Sequence, residues 1–173
     1  MGQMNFYPLW LSIKTATIST VVVFVCGVIL AYIISRRKFI GKGLIEAIFL
    51  LPPTVVGFIL LYLFGKNGII GKFLLDYFDF QIVFTWYGAL LASIVVSFPL
   101  MYQSATAAFQ QYDRNLEKVA LTMGKTPFQV FRTISFPLAW PGLLAGIVLA
   151  FAGGLGEFGA TLMLAGYSPN VTD

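Results

Sequence analysis

Residues 15–34 read TATISTVVVFVCGVILAYII, twenty positions without a charge. Wound as a helix at about 1.5 Å per residue, the run measures ~30 Å, the thickness of a bilayer's hydrocarbon core. Only Lys14 precedes it as a basic residue, and no small-residue cleavage site stands before Arg36, so residues 10–35 read as a retained span rather than a removable signal segment. One such span settles the class of the chain: its architecture must satisfy every backbone group internally, as helices do in lipid.

The rest of the sequence agrees with that class. Of 173 residues, 58% are hydrophobic and 10% charged, with no histidine, against about 25% charged in soluble domains. Further apolar runs at about 44–64, 86–108 and 138–165 give four spans in a single membrane domain over residues 1–173, an all-α polytopic helix bundle. Arg36, Arg37, Lys38 and Lys42 fill the first loop; Arg114, Lys118, Lys125 and Arg132 fill the third, residues 109–137. In the second loop Lys66 and Lys72 are offset by Asp76 and Asp79. The alternation places loops one and three in the cytoplasm, and the N-terminus, loop two and residue 173 outside. A net charge of +4 therefore orients spans; with no soluble domain to carry a basic face, nucleic acid is excluded as a partner. Cys26 is alone in the first span, which leaves no disulfide or metal framework and reads as a small packed hydrophobe.

The second span starts near Glu46 and continues LLPPTVVGFILLYLFG, where Pro52 and Pro53 interrupt or kink the helix. The carbonyls so released need partners in protein or water, which points the segment toward other helices or a pathway. In the outer loop Ile69, Phe73, Leu74 and Tyr77 recur at helical spacing, a short interfacial helix, and Trp86-Tyr87 stand where aromatic belts occur. Ser97, Pro99, Gln103 and Ser104 make the third span polar for a lipid-facing helix; packing within a bundle or the lining of a pathway both account for it.

Glu117 to Pro137, EKVALTMGKTPFQVFRTISFP, is the longest polar-containing run. Gly124-Lys125-Thr126 matches the end of a phosphate-binding loop, but the required glycine five residues earlier is Val119, Pro127 follows, and no strand precedes. The run reads instead as two short helices. Leu116, Val119, Ala120 and Met123 form one apolar face; Asp113 supports the start and Gly124 the stop. Thr126-Pro127 gives the N-cap and first residue of a second helix carrying Phe128, Phe131 and Ile134, and Pro137 returns the chain to the membrane. Such a pair is marginal alone in water, so its apolar face must meet spans, a partner, or both.

The spacing Glu117-x-Val119-Ala120-x3-Gly124-x9-Ile134-x2-Pro137 resembles the EAA loop of bacterial ABC importer permeases, with Val119 in place of the motif's first alanine. LLPPTVVGFILLYLFGKNGIIGK and GGLGEFGATLMLAG (153–166) are similar to molybdate-importer permeases and, more loosely, to tungstate and sulfate/thiosulfate permeases; the likeness covers about residues 8–170. The resemblance implies a multi-pass permease of the bacterial inner membrane, paired with a second copy of itself. Each copy docks an ABC ATPase subunit through the EAA loop, and a periplasmic or lipid-anchored binding protein delivers the oxyanion. ATP hydrolysis belongs to the ATPase partner; the permease is not an enzyme and holds no cofactor or metal. Permeases of this type end with at least one further span, whereas this chain stops at GYSPNVTD, so closing helices are expected to be missing.

Glu157 is the carboxylate deep in an apolar run, and an acid there is a functional hypothesis by default. About 20 helical residues from Pro137 raise it ~30 Å, to the outer face. Its charge repels an oxyanion, which favours a structural or gate role over substrate contact. Pro52, Pro53, Thr54, Ser97, Glu157 and Thr161 are the pathway or gate candidates, with the three hydroxyls as neutral donors or packing residues. The alternative class is a secondary transporter in which Glu157 titrates; it has no need of a glycine-hinged helix pair.

Overall fold

The computed structural model describes residues 7–36 and 51–157, with Thr161 and Leu164 beyond them. The expectations for Arg37, Lys38, Lys42, Glu46 and most of 158–173 lie outside the described residues. Among the described residues the regular structure is helical: α1 (Tyr7–Arg36), α2 (Pro53–Phe64), α3 (Ile69–Phe78), α4 (Trp86–Gln111), α5 (Asn115–Thr122), α6 (Pro127–Val130), a π-helical turn (Phe131–Ser135) and α7 (Phe136–Gly156).

Among the described residues three runs are long and apolar enough to cross a bilayer, Trp10–Arg36, Trp86–Gln111 and the nearly unbroken Pro127–Gly156, and the bent pair α2–α3 makes a fourth if it is taken as one span. The three long runs pack together as α1, α4 and α7 around Val23, Val28, Met101, Tyr102, Phe109 and Leu143. Leucine and valine on the outward faces stay exposed, as lipid-facing positions do, because association in lipid rests on close packing rather than on hiding apolar surface. Close packing comes from Gly142, Gly146, Ala150 and Gly154, four small residues at four-residue intervals on α7. A β-carbon at Gly142 would meet the Ala108 β-carbon at 2.5 Å, and one at Gly146 the Met101 sulfur at 2.9 Å. Cys26, expected as a packed hydrophobe, is instead exposed on α1.

The double proline starts a helix: Pro52 is its N-cap and Pro53 its first residue, where a missing N–H costs nothing. α2 and α3 meet at a 42° bend, so close that a β-carbon on Gly71 would lie 2.0 Å from the Gly65 carbonyl oxygen. Pro137, expected to return the chain to the membrane, stands at the start of α7 within the apolar run Pro127–Gly156, at a first-turn position that suits proline. The π-turn just before it carries the N–H of Phe136 to the carbonyl of Phe131.

Candidate functional site

Between α4 and α7 the chain leaves the bundle and returns as a tight helix pair. α5 ends in a Schellman arrangement: Gly124 N–H donates to the Leu121 carbonyl (3.1 Å) and Lys125 N–H to that of Ala120 (3.2 Å). Gly124 has φ +87°, which a side chain would strain. α6 then opens with a capping box, Gln129 N–H donating to Thr126 Oγ1 (3.3 Å) and Thr126 N–H to Gln129 Oε1 (2.8 Å), with Pro127 at the first position. Asp113 Oδ1 accepts from Asn115 N–H (2.9 Å) at the start of α5.

The inward face of α5 is polar at its centre. Glu117 is 7% exposed, beside buried Ala120. Its Oε2 lies 2.5 Å from an Arg36 guanidinium nitrogen, and its Oε1 accepts from Ser135 Oγ and Tyr112 Oη, each at 2.5 Å. The Arg36 guanidinium also lies over the Tyr32 ring, 3.8 Å from its centroid. A second tie runs the other way, Arg114 donating to the Ser35 carbonyl at the end of α1. Burial pushes the Glu117 carboxyl upward, but hydrogen bonds from Ser135, Tyr112 and Arg36, with the charge of Arg36, hold it below the usual carboxylate range. Burial, and then the hydrogen bond to Glu117, push the Tyr112 phenol up to about 12. Below the carboxylate, Val130 is buried and Phe131 packs edge-on against Tyr32 (4.5 Å).

The apolar stripe expected as one face is split. Ala120 turns inward with Glu117, while Leu116, Val119 and Met123 point away from the bundle, joined by Phe128; Met123 is 78% and Phe128 72% exposed. The split follows from the carboxylate: once Glu117 faces Arg36, the residues on the other side of an eight-residue helix must face out. Ile134 is half-buried in the π-turn, and Pro137 is exposed.

The pathway candidates fall in two places. Glu157 follows the last residue of α7, at the opposite end of the bundle from Glu117. It lines a recess of about 70 Å³ with Thr161, Ser12, Thr15 and Ser93. Ser97 is buried nearby: a β-carbon on Gly154 would lie 3.3 Å from its Oγ and 2.9 Å from that of Ser93, which donates to Ser19 Oγ. Pro53 borders a separate apolar groove of about 610 Å³ between α2 and α4, and Pro52 and Thr54 are exposed. Arg36 was legible only as a loop charge. The signal for it was Glu117 itself, an acid three residues before a small alanine on a face that must be buried.

Residues 11–172 match the family described as binding-protein-dependent transport system inner membrane component. The chain is 46% identical over 171 residues to YvgM of Bacillus subtilis, covering 96% of this chain and 75% of that protein. It is 40% identical over 166 residues to "Molybdenum transport system permease protein ModB" of Escherichia coli (94% and 72%). To "Probable sulfate transport system permease protein cysT" of Chlorella vulgaris it is 35% identical over 163 residues (92% and 61%).

Proposed function

The chain belongs to the family of binding-protein-dependent transport system inner membrane components, a multi-pass ABC importer permease and not an enzyme, and on that premise we propose that it imports molybdate through an ATPase docked on the α5–α6 pair. The observation that carries the docking reading is the outward stripe Leu116, Val119, Met123 and Phe128, presented by a pair whose other face is clamped to three spans. An apolar patch held rigidly on a polar segment is what a partner's cleft can grip. In this reading the pair is cytoplasmic, the N-terminus and the Glu157 recess lie outside, and two copies of the chain enclose the path.

When the ATPase subunits close, each pair is carried as a unit. α6, the π-turn and α7 are continuous, so the displacement passes along ~30 residues of helix, about 45 Å, to the Glu157 end. Covalent chemistry is not required of the permease: it offers a lever at one end and a changing opening at the other. Molybdate is favoured over sulfate by the higher identity to the molybdenum permease, 40% against 35%; tungstate shares the tetrahedral dianion chemistry. Family membership replaces the secondary-transporter alternative for Glu157, which keeps a structural or gate role.

The test is co-purification from mild detergent followed by uptake. A stoichiometric ABC ATPase and ATP-dependent molybdate uptake, resisting excess sulfate, are expected. Purification of the chain without an ATPase defeats the docking reading; uptake that follows sulfate and ignores molybdate defeats the substrate.

A further inference from the structure

We infer that Arg36 is a positioning residue for energy coupling: acting through Glu117, it engages α1 with the docking pair. This rests on the docking reading above. Of the three helices in the bundle, α4 runs into α5 through Tyr112–Arg114, and α7 grows directly out of α6. Both are joined to the pair by backbone. α1 is not: between Arg36 and the start of α5 lie 37–114 of the sequence. Its engagement is side-chain chemistry: the Arg36–Glu117 ion pair, a 3.5 Å bond from Arg36 to Ser135 Oγ, the Arg114 bond to the Ser35 carbonyl, and the Tyr32 ring against Phe131.

The placement of the carboxylate suits that task. One oxygen is taken by Arg36 at the end of α1; the other by Tyr112 at the end of α4 and Ser135 at the entry to α7. A displacement of α5 therefore reaches all three helix ends through one group that is almost fully buried. Arg36 is fixed from its other side by the Tyr32 ring, so its guanidinium cannot simply follow Glu117 while its own helix stays behind. Without it, α4 and α7 still answer to the ATPase, while α1 keeps its packing in the bundle and the Arg114 bond but loses its ionic link to the docking pair. The docking stripe is on the opposite side of α5 and is untouched by the change.

The experiment uses the full importer in proteoliposomes and reads anion imported per ATP hydrolysed, with ATPase co-purification as the parallel readout. Arg36→Gln should retain the ATPase yet lose about tenfold in the transport ratio, within the range that coupling residues reach. Arg36→Lys, which restores the charge, should recover most of it. Arg36→Met, which keeps an unbranched apolar stem without the charge, should behave as Arg36→Gln and serves if the latter does not assemble. A ratio unchanged in the neutral variants, or lost equally in Arg36→Lys, overturns the inference. So does failure of both neutral variants to assemble, which makes Arg36 a folding requirement. Absence of the ATPase from the wild-type importer is a different failure, that of the docking reading.

Discussion

Glu117 carries more of the helix pair's order than any other side chain, because a buried carboxylate is tolerable only while its partners stay. Removing one side of a buried ion pair leaves the other charge desolvated and costs roughly 3–5 kcal/mol; Arg36 keeps part of its hydration, so the lower end applies. Glu117→Ala should lower the thermal midpoint of the purified chain in detergent by several degrees, and Glu117→Gln by less, since the amide oxygen still accepts from Ser135 and Tyr112. The pH dependence has a definite sign. The folded carboxyl is held below its ordinary range, so its stabilisation is fully present at neutral pH and disappears as pH falls through the lowered value. The midpoint gap between wild type and Glu117→Gln should be constant near neutrality and close in acid; a gap that widens in acid would contradict the geometry. Tyr112, pushed up to about 12, stays a neutral donor throughout.

α7 is the helix whose face leaves least room. A β-carbon at Gly142 would meet Ala108 at 2.5 Å, while one at Gly156 meets nothing within 4 Å. Gly142→Ala should therefore cost about 1–3 kcal/mol through overpacking, whereas Gly156→Ala should be neutral or slightly stabilising through helix propensity; melting of the two variants side by side checks both. The four-residue spacing Gly142-Gly146-Ala150-Gly154 is the pattern of a close-packing face, passed over in reading the sequence. Helix existence was legible, because twenty apolar residues or a Thr-Pro after a glycine stop leave few alternatives. What escaped was which side of a helix faces which neighbour. Nothing along the chain ties Arg36 to Glu117, 81 positions later, and the apolar count on α5 favours a single buried face that one carboxylate overrides. Pro137 removes a donor at its own position, and a first-turn site with a π-turn before it meets that condition without ending the helix.

Among the described residues, one end of the three-helix bundle is clamped through Glu117, and the outward stripe belongs to that end. Val119 and Phe128 make no part of the core, being 56% and 72% exposed, so changing them should leave folding intact. Val119→Glu and Phe128→Glu each place a charge where an apolar cleft is expected to close, and interface anchors of that kind are worth about 2 kcal/mol or more, some thirtyfold in affinity. Each variant should insert, melt as wild type within about a degree, and lose the co-purifying ATPase; combined, they should abolish ATP-dependent uptake. Lys118→Glu, also exposed on α5, is the control for charge alone, and it should retain the ATPase. The contrast separates a docking face from lipid-facing grease. A stripe lying on the bilayer surface would respond to either glutamate by weaker insertion while the ATPase stayed bound. A stripe that grips a partner loses the partner and keeps the fold, and under the docking proposal the tie through Glu117 is what would let that grip move the spans.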